Sequence, residues 1–232
     1  MSFNLYPVPV NAINHKSITN KCVVLDLDQT LISTQDSMDS FKSLGIMNNS
    51  NLIELKRRCY TIKLTDLEQN GDGSRYDCWG ITRPHIEEFL LFCFNYFKIV
   101  IVWSAGKKNY VEAIVDSIFK NLRPPHLVWT YDDIETNKEG DVEKPLLKLI
   151  NSNFIYKSHI SLKNIIVVDD NETTFVKNKK NAVFIPPFEP ALTIESLNKP
   201  DPTLLQLKQW LLMPQVIHSR DVRNLDYSNI FK

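Results

Sequence analysis

The sequence predicts an α/β domain on a doubly wound parallel sheet, with a small β-hairpin insert after the first strand. Three observations carry this. The runs CVVLDL (22–27), KIVIVW (98–103) and IIVV (165–168) are short, continuous and β-branched, the pattern of strands buried on both faces. Helical stretches alternate with them, as parallel crossovers require. CYTIKL and RYDCWGI flank the glycine-bearing turn EQNGDGS, which reads as a hairpin.

The elements follow in order. Residues 1–20 are polar with two prolines and are expected as an extended arm. The domain is placed at 21–213, with the insert at 33–80 and a tail at 214–232. Residues 33–58 are Ser/Asn-rich and irregular apart from a helix expected around NLIELKRR. PHIEEFLLFCFNYF is a helix with Pro84 near its first position. KKNYVEAIVDSIFKNL puts Val111, Ile114, Val115, Ile118 and Phe119 on one side, with Pro124-Pro125 beyond. HLVW and AVFI are short strands, and EKPLLKLI a short helix. DPTLLQLKQWLLM has Asp201 as N-cap, Pro202 next, and a Leu204/Leu207/Leu211 stripe.

Composition excludes several classes. Lys+Arg and Asp+Glu both number 27, so no global field draws the chain to nucleic acid or an anionic membrane. The four cysteines form no C-x-x-C pair and are expected as free, buried thiols. No signal peptide is read at the start, and IVIVW is too short to span a bilayer. An intracellular, soluble protein of nucleus or cytoplasm is expected. The five histidines lack zinc-ligand spacing. Asp66, Glu68, Asn70, Gly71 and Asp77 sit at offsets near a calcium loop, but strand-like flanks favour a hairpin turn.

Sites in such sheets form at the carboxyl ends of the strands. Those ends carry Asp26, Asp28 and Thr30; Ser104, Ala105 and Gly106; and Asp169, Asp170 and Asn171. Lys144 lies in the connection returning to this edge. Two like charges one residue apart at a buried strand end are costly without a cation or a reaction that needs them. The set suits phosphoryl transfer. Asp26 and Asp170 offer oxygens to Mg²⁺. A carboxylate attacks phosphorus, and its neighbour two residues on serves as acid and then base. Ser104 and the Ala105 N–H hold phosphoryl oxygens, with Thr30 beside them, and Lys144 neutralises charge. The plainer readings are Ser104 as a helix cap and Lys144 as a surface lysine, with Lys148 as its rival. Arg83 is read as orienting the hairpin or helix start.

Asp26-Leu27-Asp28-Gln29-Thr30 resembles the D-x-D-x-T signature of haloacid dehalogenase-type phosphatases. It most resembles the branch that dephosphorylates the C-terminal repeats of RNA polymerase II, the small CTD phosphatases (NLI-interacting-factor-like). Arg83-Pro84-His85-Ile86-Glu87-Glu88-Phe89-Leu90, Trp103-Ser104-Ala105, Lys144-Pro145-Leu146 and Val168-Asp169-Asp170-Asn171 continue the likeness in order, over roughly residues 20 to 212. The resemblance implies Asp26 as nucleophile and metal ligand, and Asp28 as acid/base with its backbone carbonyl on Mg²⁺. It implies Ser104 on phosphate, Lys144 stabilising the intermediate, Asp170 as direct ligand and Asp169 as its support. The expected partner is a phosphorylated protein or peptide, with no membrane role and no nucleic acid as main ligand. The rival readings are a polynucleotide 3′-phosphatase, which Lys107, Lys108, Lys177, Lys179 and Lys180 would serve with a basic groove, and a non-catalytic binding module on the same fold.

Overall fold

The computed structural model describes Ile13 and residues 16–65 and 73–232. In chain order its elements are β1 (Cys22–Leu25), β2 (Ile32–Gln35), α1 (Met38–Ser43), α2 (Ile53–Arg58), β3 (Cys59–Thr65), β4 (Arg75–Thr82), α3 (Ile86–Tyr96), β5 (Ile99–Trp103), α4 (Lys108–Ile118), β6 (Leu127–Trp129), β7 (Glu135–Thr136), β8 (Val142–Glu143), α5 (Leu146–Ile150), β9 (Ile165–Asp169), β10 (Ala182–Phe184), α6 (Ile194–Leu197), α7 (Thr203–Leu211) and α8 (Pro214–Ile217). The central sheet has five strands in the order β10-β9-β1-β5-β6, and every pairing is parallel. This is the predicted architecture.

The period of two in each strand sorts the core into two layers. Val23, Leu25, Val100, Val102, Ile166 and Val168 face one side, under α3, α4 and α7. Cys22, Val24, Ile99, Ile101, Ile165 and Val167 face the other, under α5 and the loop of Phe154 and Tyr156. Burial on both faces is why these strands read as unbroken apolar runs. All five residues of the predicted helical stripe on α4 are buried. The four cysteines are free; Cys22, Cys78 and Cys93 are buried, while Cys59 is only half-buried. Val216, Val222 and Ile230, from the segment set apart as a tail, pack into the main core.

The insert is larger than a hairpin. β3 and β4 pair antiparallel, Thr65 opposite Arg75, as predicted. Their turn, with the calcium-loop offsets at 66–71, lies outside the described residues. A third strand, β2, adds to β4 to give the order β2-β4-β3. The stretch read as irregular thus contains this strand and the short helix α1, while α2 is the helix expected around NLIELKRR. Phe41, Ile46, Leu55, Trp79, Ile81, Phe188 and Leu197 form a separate small core beneath them. Phe41 stacks on Trp79 with ring centroids 4.8 Å apart, and the Trp79 indole N–H donates to Ser40 Oγ at 2.8 Å.

Helix α3 starts at Ile86, not at Pro84. His85 caps it with φ 66°, a left-handed conformation that places the Arg83-Pro84 pair in the turn before the helix. Arg83 then ties the insert to the sheet. Its buried guanidinium donates to Asp201 Oδ2 (2.9 Å), the Thr30 carbonyl (3.0 Å), the Pro186 carbonyl (2.8 Å) and Thr203 Oγ1 (3.1 Å). The N-cap of α7 is Pro202 and not Asp201, which lies one residue earlier and accepts the Thr203 N–H at 2.9 Å.

Burial opposes the charge on Asp201, but the Thr203 hydrogen bonds and Arg83 outweigh it and hold the carboxyl below its ordinary range. A carboxyl lowered on folding adds stability above its unfolded pKa, and that stability is lost as pH falls through the folded value. Asp201→Asn is expected to cost about 1–3 kcal/mol near neutral pH. The difference should shrink at about pH 2.5, well below the ordinary aspartate value of about 3.9. Urea unfolding of parent and variant at both pH values reads the effect.

Candidate active site

Strands β1, β5 and β9 end level with one another. Leu25 is opposite Val102 on one side and Val168 on the other, so Asp26, Trp103 and Asp169 come next along neighbouring strands. The Asp26 N–H continues the ladder to the Val168 carbonyl at 3.0 Å. The chain then turns tightly. The N–H groups of Leu31 and Ile32 both return to the Leu27 carbonyl, at 2.8 and 3.0 Å, and Gln29 takes φ 58°. Leu27 and Leu31 are fully buried and anchor the turn. This geometry lifts Asp28 and Thr30 onto the rim.

Lys144 enters from the connection between β8 and α5 and is buried, at 1% exposure. Its Nζ donates to Asp26 Oδ1 at 2.6 Å and to Asp169 Oδ2 at 2.8 Å. Asp169 Oδ1 accepts the Asn171 N–H at 2.8 Å, so both of its oxygens are engaged. Thr30 Oγ1 donates to Asp170 Oδ1 at 2.8 Å and accepts the Asp170 N–H at 3.1 Å. Asp26, Asp169 and Asp170 each offer one oxygen, and these oxygens lie within 4.8 Å of one another.

Electrostatically the site is short of positive charge. Burial pushes the Asp26 carboxyl up; Lys144 draws it back, while Asp169 and Asp28 push it further. Burial also raises Asp28, with Tyr110 and Lys144 opposing and Asp170 adding to the rise. Asp170 is raised chiefly by burial, with Asp169 adding to it and the Thr30 hydrogen bond opposing. Burial works against the charge on Lys144, but Asp26 and Asp169 outweigh it and its pKa is raised. All four shifts express one imbalance: a single ammonium among several carboxylates, with little water to screen them. Hard oxygen donors that converge with surplus negative charge fit a small divalent cation such as Mg²⁺.

The rim thus unites Asp26, Asp28, Thr30, Lys144, Asp169 and Asp170. Thr30, expected on phosphate, spends its hydroxyl on Asp170. Ser104 stands next along β5 and is buried. Its Oγ accepts the Gly106 N–H at 3.0 Å and does not cap α4, whose N-cap is Lys107. Ala105 is exposed beside it. Lys148 points away, donating to the Ile134 carbonyl at 3.2 Å.

Sequence reasoning missed Tyr110, on the first turn of α4, whose hydroxyl donates to Asp28 Oδ1. Its position held a signal: a helix that begins directly after the Ser104–Gly106 turn starts at the rim.

A family model described as NLI interacting factor-like phosphatase matches residues 21–223. The CTD phosphatase-like protein 355R of Invertebrate iridescent virus 3 is 27% identical over 198 residues, covering 82% of this chain and 95% of that protein. The ubiquitin-like domain-containing CTD phosphatase 1 of Danio rerio is 30% identical over 138 residues, 56% of this chain and 41% of the relative. Among solved structures, Fcp1, an essential RNA polymerase II CTD phosphatase, superposes with a TM-score of 0.55 at 18% identity, covering 89% of this chain. A fission yeast Fcp1 variant bound to beryllium fluoride gives 0.54 at 19% identity and 87% coverage. The chain spans 58% of each Fcp1 chain. With the family match running through both aspartate motifs and Lys144, this chain belongs to the NLI interacting factor-like phosphatases.

Proposed function

We propose that the chain is a Mg²⁺-dependent phosphoprotein phosphatase that hydrolyses phosphoserine or phosphothreonine through an aspartyl-phosphate on Asp26. The observation that carries this is the buried Lys144 ammonium held between Asp26 and Asp169, with Asp28 and Asp170 on the same rim.

In the first step Asp26 attacks phosphorus and the bond from phosphorus to the serine or threonine oxygen breaks. Asp28, whose carboxyl burial keeps protonated to higher pH than usual, gives its proton to the departing oxygen. In the second step a water attacks the phosphoryl group on Asp26. Asp28 takes the proton of that water, and phosphate leaves. Lys144 offsets charge on the phosphoryl oxygens, and the Ser104–Gly106 turn supplies hydrogen-bond donors. Asp26 and Asp170 would hold Mg²⁺, which supplies charge neutralisation at the phosphoryl group when bound. Asp169, with both oxygens engaged by Lys144 and Asn171, supports them from behind.

A phosphorylated protein fits better than a nucleic-acid end. Of the lysines that a basic groove would use, Lys177 pairs with Glu143 at 2.5 Å and lies 3.7 Å from Glu135, and Lys108 sits 4.0 Å from Glu112. The insert is a small sheet over one edge, and no described helix is long and apolar enough to cross a membrane. The names of the relatives make the phosphorylated repeats of RNA polymerase II the first substrate to try.

Three outcomes are expected. Asp26→Asn should lower turnover of an aryl phosphate by about a thousand-fold or more while the circular dichroism spectrum is kept. Retained turnover in that variant refutes the mechanism. Lys144→Met removes the only cation that, among the described residues, is bonded to the buried Asp26 and Asp169 carboxylates. Turnover should fall about a hundred-fold or more, and stability in the metal-free chain by about 3–5 kcal/mol, read by urea unfolding. The third concerns pH. Because Asp28 must be protonated for the first step, kcat/KM on a phosphoserine peptide should fall as pH rises past its elevated pKa. This limb should vanish in Asp28→Asn, and a limb that survives there assigns the acid elsewhere.

A further inference from the structure

The Tyr110 hydroxyl is one end of a row that crosses the whole insert. Thr34 Oγ1 lies 2.7 Å from the Tyr110 hydroxyl and 2.7 Å from the Tyr60 hydroxyl. Thr34 on β2, Gly80 on β4 and Tyr60 on β3 are directly opposite one another across the three strands. Gly80 is what lets the row close. A Cβ there would stand 2.3 Å from the Tyr60 hydroxyl and 2.8 Å from the Ser33 carbonyl oxygen. The Tyr60 ring therefore lies over the bare backbone of the middle strand and reaches Thr34 beyond it. Helix α4 is fastened to the same sheet by Asn109 Nδ2, which donates to the Thr65 carbonyl at 2.9 Å.

Counting protons orients the row. Each hydroxyl has one hydrogen to donate, and a carboxylate oxygen only accepts. Tyr110 gives its hydrogen to Asp28 Oδ1, so Thr34 must donate to Tyr110, and Tyr60 to Thr34. With Oδ1 occupied as an acceptor, any proton carried by Asp28 sits on Oδ2.

We propose that Tyr110 is a positioning residue for the reaction, and that Thr34, Tyr60 and Gly80 make the insert its support. The row holds the Asp28 carboxyl in one orientation and reserves Oδ2 for the leaving oxygen and, later, for water. The inference rests on the reading of Asp28 as the proton donor. Neither an apolar packing role nor a plain strand pairing calls for three hydroxyls ending on a carboxylate; phenylalanine and valine would fill the same space.

The test compares two leaving groups. A phosphoserine peptide expels an alkoxide that needs a proton, whereas dinitrophenyl phosphate expels a phenolate that does not. With Mg²⁺ present, kcat/KM reports the step up to phosphorylation of Asp26. Tyr110→Phe should lower kcat/KM on the peptide by about ten- to a hundred-fold, and on dinitrophenyl phosphate by less than about threefold. Thr34→Val and Tyr60→Phe, milder changes that keep the packing, should shift the ratio the same way by smaller factors. An equal fall on both substrates, or no fall on the peptide, overturns the proposal. An unaltered chain that turns over neither substrate overturns the phosphatase reading and this inference with it. An active parent whose variants show a flat ratio overturns the inference alone.

Discussion

One buried ammonium serves two buried carboxylates, and the rest of the rim is arranged around that shortage. Lys144 cannot satisfy Asp26, Asp169, Asp28 and Asp170 together. A buried ion pair of this kind costs desolvation on both sides and is a poor source of stability. It holds only because each member is fixed by something rigid. Asp26 continues the β1 ladder, Asp169 ends β9, and the Lys144 main chain is tied to the Thr174 carbonyl at 2.7 Å. The structure thus keeps an unbalanced charge where a phosphoryl group, itself anionic, has to be accepted. A divalent cation held by Asp26 and Asp170 would resolve that contradiction, since its charge would let the rim hold an anion.

The same constraint explains which parts were legible from sequence. The parallel sheet was, because strands buried on both faces advertise themselves without reference to distant residues. The acidic tips were legible because Asp26 and Asp28 conflict with the run that precedes them, and such conflicts concentrate at working sites. Strand β2 was not. Ile32–Gln35 is four residues, mostly polar, and becomes a strand only because β4 is there to pair with it. The role of Thr30 was hidden for a similar reason: its partner, Asp170, is far along the chain. Arg83 was read as an orienting residue, but its partners Asp201 and Pro186 lie more than a hundred residues along the chain and carry no local mark. The glycine inside RYDCWGI was a signal left unread, since a lone glycine in a strand often marks a close approach of other atoms.

The insert gains a meaning from its own division of labour. Its lower part is apolar: Phe41, Leu55, Trp79 and Ile81 give it a core separate from that of the main sheet. Arg83 then binds it to the loop after β10 and to the start of α7, so it behaves as part of the scaffold. The side toward α4 is built differently, with the Tyr60, Thr34 and Tyr110 hydroxyls in line. Gly80 weakens β4 locally, because glycine loses most backbone entropy on folding and has no side chain to pack. A strand that needed only stability would place a β-branched residue there. The middle strand instead gives up that contribution so that a phenol can cross it, and what lies at the far end of the crossing is Asp28. An insert with its own apolar core and a hydroxyl row ending on one carboxylate is better suited to holding that carboxylate still than to closing over a substrate. If Asp28 is the proton donor, the piece added after the first strand would act on the chemistry from the side, through the orientation of a single side chain.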